Sequence, residues 1–295
     1  MNAMILAAGL GTRLLPHTKR IPKPLMPVVD KTLLEIAIET VLKANPTMIV
    51  INTHHLGVMV RKFILSHDFG VEVVVTRERE ILGTAGGIKN AQSWLEGENF
   101  VVMNSDIIAC VDLEELMLAH KQSGAISTLA LRQNPDPKKY SHLSIDDSQR
   151  IVKFHKTCGP AYRGDEEALM FTGISVLSPE IFRLIPDGVE YDISSRIYAP
   201  MTEKGEGLYG VKTDGKWIDV GTCKLYHKVV MDALNERDDN LYIEKNVKIG
   251  EWTELGPHVA VHSGAKIGSR VVLEDCVVLP NSVVDDGVKA KGKIF

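Results

Sequence analysis

Cysteine is scarce in this chain. Four cysteines in 295 residues (Cys110, Cys158, Cys223, Cys276) are too few and too scattered for a disulfide framework, and no pair has zinc-ligand spacing. We expect reduced, mostly buried thiols. Long apolar runs are also missing. None reaches the roughly 20 residues that span a bilayer, and the N-terminal apolar stretch lacks a basic n-region and breaks at Gly9 and Arg13. There is no cationic excess: 34 Lys and Arg stand against 38 Asp and Glu, a formal net charge of -4, which excludes a general nucleic-acid coat. No Ser–His–Asp arrangement is visible. These absences predict a soluble cytoplasmic protein with neither nucleic acid nor membrane as partner.

What is present reads as globular, with 44% hydrophobic and 24% charged residues and length enough for one large or two ordinary domains. In the first half, short Val- and Ile-rich runs at Met4–Ala8, Met48–Asn52, Val71–Thr76 and Phe100–Asn104 alternate with amphipathic segments at Leu33–Lys43, Val58–Ser66, Ala85–Leu95 and Leu113–Gln122. This alternation predicts a doubly wound, mostly parallel α/β sheet, with ligands at the carboxyl ends of its strands. After Leu131 the pattern loosens. His142–Ile145 and Ile151–His155 read as a hairpin and Leu169–Leu177 as a further strand. Ser178 should cap a helix opened by Pro179, and Thr222 a long helix reaching Leu234. Past the polar stretch 236–240 the period becomes six. Val247, Thr253, Val259, Ala265, Val271, Val277 and Val283 form one track; Ile249, Leu255, Val261, Ile267, Leu273 and Leu279 form a second. Hexad periodicity predicts a short left-handed parallel β-helix of about two coils. The domains are thus expected at 1–235 and 241–295.

The most informative segment follows the first strand. Gly9 and Gly11 make a turn whose backbone N–H groups can approach an anion closely. Arg13 follows, and Lys23 stands between Pro22 and Pro24 on a stiff backbone. The turn lacks the third glycine of a dinucleotide fingerprint and the Gly-Lys-Ser/Thr of a P-loop. Fixed cations beside a glycine turn point to polyphosphate. His54-His55, just after a strand, reads as a loop and helix start rather than a metal pair, and His155 and Cys158 have no second pair to complete a metal site.

Residues 6–28, Leu-Ala-Ala-Gly-Leu-Gly-Thr-Arg-Leu-Leu-Pro through Pro-Lys-Pro-Leu-Met-Pro-Val, resemble the signature of the sugar-1-phosphate nucleotidylyltransferases. Leu82-Gly83-Thr84-Ala85-Gly86-Gly87 is similar to that family's base-contacting loop. Asn104-Ser105-Asp106 and Trp217-Ile218-Asp219-Val220-Gly221-Thr222 resemble its two metal stations, and Phe171-Thr172-Gly173-Ile174 its sugar loop. The resemblance covers residues 1 to about 235 and implies attack of a sugar-1-phosphate oxygen on the α-phosphorus of a nucleoside triphosphate, with pyrophosphate leaving. It implies that Arg13 clamps the β- and γ-phosphates and that Lys23 contacts the α-phosphate and the sugar phosphate. Leu6, Ala8, Gly9, Gly11, Thr12, Gly83 and Thr84 would hold the nucleotide. Ser141, Lys156, Thr172 and Gly173 would hold the sugar phosphate, with Lys153 the rival of Lys156. Asp106 and Asp219 would bind Mg²⁺, a hard ion suited to carboxylate and phosphate oxygens.

The chain also departs from the family pattern. Tyr140-Ser141 stands where the family commonly has Tyr-Gly, and Phe154-His155-Lys156-Thr157 lacks the glutamate that usually binds sugar hydroxyls. The substrate pair expected first is GTP with mannose 1-phosphate, with glucose-1-phosphate thymidylyl or uridylyl transfer as the alternative. A non-catalytic nucleotide-sugar sensor on the same fold is a further alternative. Acetyl transfer by His258 or His262 is disfavoured by the short hexad array, which is read instead as an oligomerising element of a homo-oligomer.

Overall fold

Buried runs of Val, Ile and Met set the order of the chain: β1 (Asn2–Leu6), α1 (Leu33–Leu42), β2 (Met48–Thr53), α2 (Gly57–Leu65), β3 (Glu72–Arg77), α3 (Gly83–Asn90) and β4 (Phe100–Asn104). The computed structural model describes residues 1–138 and 140–295, which form two units. One comprises residues 1–10 and 37–218; the other comprises 11–36 and 219–295.

In the first unit the four strands lie in the order β4-β1-β2-β3, all parallel, as strands joined by helical crossovers must be. The chain continues through β5 (Ile107–Ala109), α4 (Leu113–Ser123), β6 (Ser127–Gln133), β7 (Leu143–Ile145), β8 (Ile151–Phe154), β9 (Thr157–Cys158), β10 (Leu169–Leu177), α5 (Ala199–Lys204) and β11 (Leu208–Lys212). The ten-stranded sheet runs β9-β8-β7-β10-β4-β1-β2-β3, with β6 pairing β10 and β11 pairing β6. It is mixed, which corrects the expectation of a mostly parallel sheet. No helix occurs among the described residues of 134–168, so β10 returns antiparallel to β6 and also lies antiparallel to β4. The core of this unit runs from Met4 and Val50 through Phe100 and Leu129 to Phe182 and Tyr198.

Three local expectations are corrected here. The segment Ala85–Leu95 is two helices, α3 and a short turn at Gln92–Leu95, broken at Ala91. Ser178 precedes a 3₁₀ turn, Pro179–Leu184, but its hydroxyl makes no cap; its carbonyl accepts from the Ile181 N–H instead (3.1 Å). Of the thiols, only Cys276 is buried; Cys110 and Cys158 are exposed because they fall at strand ends.

In the second unit, residues 11–36 form three 3₁₀ turns (Thr12–Leu14, His17–Lys19, Lys23–Leu25) and a small ribbon, Pro27–Val28 against Lys31–Thr32. The unit's other segment opens at Asp219, the last residue of β12 (Trp217–Asp219), and leads into α6 (Cys223–Asn235). Thr222 caps α6, accepting from the Leu225 N–H at 3.3 Å. Tyr226 on α6 donates to the Pro27 carbonyl (2.5 Å) and ties the helix to the ribbon.

Beyond Asn240 the strands form three three-stranded parallel sheets. Leu241–Ile243 pairs with Val259–Val261 and then Cys276–Val278; two further sheets follow the same rule. Partners are 18 residues apart in the first set (Leu241 and Val259, Lys248 and Lys266) but 17 in the second (Val259 and Cys276, Lys266 and Val283). One residue is missing at the corner around Asp275, which has φ 51°. The inward track therefore runs Val271, Leu273, Cys276, Val278 and Val284, not Val277, Leu279 and Val283 as expected. Val283 is 62% exposed and Val284 2%. Val277 is buried on the outer face, where α6 packs and His227 Nε2 lies 2.6 Å from the Asp275 carbonyl.

Candidate active site

The first unit gathers several site residues at the carboxyl ends of β1 and β4. Their register places Leu6 beside Asn104, and the Ser105 N–H donates to the Leu6 carbonyl at 3.1 Å. Ala8 and Gly9 leave the end of β1, and half-buried Asp106 leaves the end of β4, so glycine turn and carboxylate emerge side by side. Gly173 belongs to the same cluster. It has φ 84°, and a Cβ there would sit 2.9 Å from Asn104 Nδ2, so only glycine fits.

The loop before α3 is clasped by a segment distant in sequence. The Leu82 carbonyl accepts from the Tyr191 N–H (2.8 Å), and the Ala85 and Gly86 N–H groups donate to the Tyr191 carbonyl (2.9 and 3.1 Å). Gly83, φ 70°, would place a Cβ 2.8 Å from that carbonyl. The Thr84 hydroxyl accepts from the Ile193 N–H (2.8 Å) and donates to Asp192 Oδ2 (3.2 Å). Burial pushes the Asp192 carboxyl up, but hydrogen bonds from Ser195 and Thr84 and the nearby His155 outweigh it and leave the group below the usual carboxylate range. Burial in turn lowers His155, with Asp192 partly opposing.

On the hairpin side, exposed Ser141 lies in the loop before β7, and exposed Lys156 sits at the β8–β9 turn. Lys153 points elsewhere: its Nζ donates to the Tyr162 hydroxyl (2.9 Å), a bond that raises its pKa. Thr172 is 1% exposed, and its hydroxyl donates to the Ala130 carbonyl (2.8 Å), while its own carbonyl accepts from Trp217 Nε1 (2.8 Å). Its hydroxyl is thus spent on the sheet. The edge of the Tyr140 ring meets Trp217, centroids 5.4 Å apart.

The second unit holds Gly11, Thr12, Arg13, Lys23 and Asp219. Gly11 is left-handed (φ 64°), and a Cβ on it would meet Thr18 Cγ2 at 2.9 Å and Lys23 Cβ at 3.2 Å. The Thr18 hydroxyl donates to the Gly11 carbonyl at 2.9 Å. The lysine stem is therefore packed on the glycine turn. Gly221 does the same for the second pair: Arg13 Nη1 and Asp219 Oδ1 each lie 2.9 Å from where its Cβ would be, hence within about 6 Å of each other.

A model of the nucleotidyl transferase family matches residues 2–236. The chain belongs to this family. It is 29% identical to a UTP–glucose-1-phosphate uridylyltransferase of Synechocystis sp., over 98% of this chain and 82% of that one. It is 28% identical to mannose-1-phosphate guanylyltransferase 1 of Arabidopsis thaliana, over 95% of this chain and 81% of that one. Among solved structures, HddC from Yersinia pseudotuberculosis superposes with a TM-score of 0.65 at 22% identity (78% of this chain, 98% of that one). A UDP-glucose pyrophosphorylase complexed with UDP-glucose superposes at 0.66 and 19% (80% and 99%). At these identities the superpositions establish the fold alone, a mixed α/β, Rossmann-like core.

For this nucleotidyltransferase, sequence reading passed over Asn52, Glu78, Tyr191 and Asp192. Their contacts across the fold, Asn52 with Glu78, Tyr191 with Leu82 and Asp192 with Thr84, join residues 26 or more positions apart, which no short motif marks. The one available signal was the pair of acidic residues Glu190 and Asp192 flanking an aromatic, Tyr191, in an otherwise unpatterned stretch. His262, weighed above for acyl transfer, is 1% exposed, and burial lowers its pKa to about 4. It lies 3.6 Å from Glu244 Oε2, yet that neighbour does not outweigh burial. A base so enclosed cannot meet a solvent-borne substrate. Among the described residues no group of three or more His, Cys, Asp or Glu side chains is arranged to hold a metal.

Proposed function

We propose that this nucleotidyltransferase joins a nucleoside monophosphate from an NTP to a hexose 1-phosphate, releasing pyrophosphate. GTP with mannose 1-phosphate is the first pair to test, and UTP or dTTP with glucose 1-phosphate the second. The observation that carries the reading is the family match over residues 2–236, together with the emergence of the glycine turn and Asp106 at neighbouring strand ends. The relatives' names support both substrate pairs and favour neither.

Both reactants are anions, so cations must offset their repulsion and hold the attacking and leaving oxygens in line. In this reading Arg13 binds the leaving pyrophosphate, and Lys23, braced on Gly11, contacts the α-phosphate and the incoming sugar phosphate. N–H groups of the turn from Leu6 and Ala8 through Gly9, Gly11 and Thr12 hold phosphate oxygens. Gly83 and Thr84 frame the base through backbone groups, because the Thr84 hydroxyl is engaged with Asp192 and Ile193. Lys156 is assigned the sugar phosphate over Lys153, which Tyr162 holds. Ser141 and the backbone of Thr172 and Gly173 face the sugar.

In this reading Asp106 and Asp219 would each offer carboxylate oxygens to a hard divalent cation. Both are half-buried carboxylates, and two protein carboxylates completed by substrate phosphates make an ordinary Mg²⁺ site. Bound Mg²⁺ would supply charge neutralisation on the phosphate oxygens. We further propose domains at 1–235 and 241–295, the latter a left-handed parallel β-helix. We also propose homo-oligomerisation, which the 83% exposed Trp252 and the exposed Ile249 and Val283 support, and a cytoplasmic location.

The test is a pyrophosphate-release screen of five NTPs against a panel of sugar 1-phosphates, with Mg²⁺ and with chelator. Release that needs one NTP, one sugar phosphate and Mg²⁺ is expected. Release that is independent of any sugar phosphate would refute the reading.

A further inference from the structure

Within the second unit, two neighbouring residues of α6 bond in two different directions. Tyr226 is fully buried, and its hydroxyl donates to the Pro27 carbonyl at 2.5 Å. That buried carbonyl needs a donor. In the ribbon the Leu33 N–H donates to the Met26 carbonyl (3.1 Å), and antiparallel bonding pairs alternate, so the Pro27 carbonyl turns away from its ribbon partner Thr32. Tyr226 supplies the donor. The site of this bond matters because Lys23 stands just before it in the chain. The Met26 N–H closes a turn on the Lys23 carbonyl (3.0 Å), which leaves little slack between the lysine backbone and Pro27.

Adjacent helix positions point about 100° apart, so His227 faces elsewhere, onto the hexad array. Its Nε2 donates to the Asp275 carbonyl at 2.6 Å, which makes Nε2 the protonated ring nitrogen. Asp275 is the left-handed corner where the array is one residue short. That corner is itself held: Asp275 Oδ1 accepts from His258 Nδ1 (2.9 Å), and its N–H donates to the Pro257 carbonyl (2.9 Å). The shortened corner is thus a braced bracket that presents a main-chain acceptor to α6. At the other end of the same helix, Cys223 Sγ lies 3.9 Å from the carbonyls of Arg13 and Leu15. One helix therefore joins the array to both stretches that carry the cations.

We propose that Tyr226 and His227 are positioning residues for Lys23, fastening the turn that carries it, through α6, to the shortened corner of the hexad array. The inference rests on the reading that Lys23 works at the reacting phosphorus. Neither side chain touches substrate; they remove freedom from the backbone that bears the charge, where a misplacement of about 1 Å costs on the order of 10²-fold in rate. The hexad array thereby takes part in turnover, and its irregular corner has a use that an unbroken repeat would not serve.

The experiment is a double-mutant cycle on kcat for pyrophosphate release, using whichever NTP and sugar 1-phosphate the wild-type protein turns over fastest, with thermal stability measured alongside. Tyr226→Phe removes only the hydroxyl and is expected to lower kcat about tenfold. In a Lys23→Ala background the same change is expected to lower kcat by less than about twofold, because the group it positions is gone, while its effect on stability stays the same. His227→Met, which cannot donate, is expected to lower kcat about fivefold, and His227→Gln, whose amide can donate to the same carbonyl, to recover most of that loss. The His227 pair decides the matter where Tyr226→Phe fails to fold. Equal falls in kcat from Tyr226→Phe with and without Lys23, unchanged kcat in Tyr226→Phe, or equal losses in His227→Met and His227→Gln would each overturn the proposal. A wild-type protein without turnover, or Lys23→Ala with wild-type kcat, would instead remove the reading of Lys23 and the proposal with it.

Discussion

Replacing Lys23 with alanine is expected to lower kcat by about 10²–10³, the usual effect of deleting one preorganised charge contact; steady-state pyrophosphate release checks this. Gly221→Ala makes a finer test. The atoms its Cβ would meet are the ends of Arg13 and Asp219, flexible enough to move aside. Thermal stability should therefore change little, while kcat falls about tenfold or more because both groups are displaced together. Loss of folding without a specific loss of turnover would contradict that account. At this scale the contiguous pieces were legible: Gly11, Arg13 and Lys23 lie within 13 residues and advertise an anion site. The Asn52–Glu78 bond was not, because its members are 26 residues apart. Nor could the sequence reveal that the Thr172 hydroxyl turns toward Ala130. A hydroxyl's direction is fixed by its strand neighbours, not by its motif.

Among the elements, the parallel strands β1 to β4 were legible within one or two residues, because strands buried on both faces read as unbroken apolar runs. The hexad track was legible as far as Leu273 and then slipped. Deleting one residue at a corner shifts every later side chain to the opposite face, since side chains alternate with period two. Valines at 277 and 283 preserved the appearance of an unbroken repeat. The shifted frame makes a sharp prediction. Val284→Asp buries a charge and should cost several kcal/mol, while Val283→Asp, on the outer face, should cost within about 0.5 kcal/mol. Chemical denaturation of the two variants checks it, and equal costs would return the inward track to Val283.

For the whole molecule, two buried histidines tie stability to pH. Burial lowers both His120, whose Nδ1 lies 2.9 Å from the Thr128 hydroxyl, and His262 to a pKa of about 4. Each binds a proton more weakly in the fold than in the unfolded chain, where the value is about 6.5. Stability should be full above about pH 6.5 and fall as pH drops toward 4, by up to ~1.4 kcal/mol per pH unit for each histidine. Urea titrations at pH 7.5 and 5 should show the loss, and His120→Gln should flatten part of the slope. A protein equally stable at both values would place these rings in water.

The reaction itself is most directly tested by following phosphorus. In ³¹P NMR of the protein with Mg²⁺, GTP and mannose 1-phosphate, or UTP and glucose 1-phosphate, the predicted products are a nucleoside-diphosphate sugar and pyrophosphate. They should appear in equal amounts, only when both substrates are present, and Lys23→Ala should nearly abolish both. Nucleotide that binds but is never consumed with any sugar phosphate, or is hydrolysed without one, would contradict it.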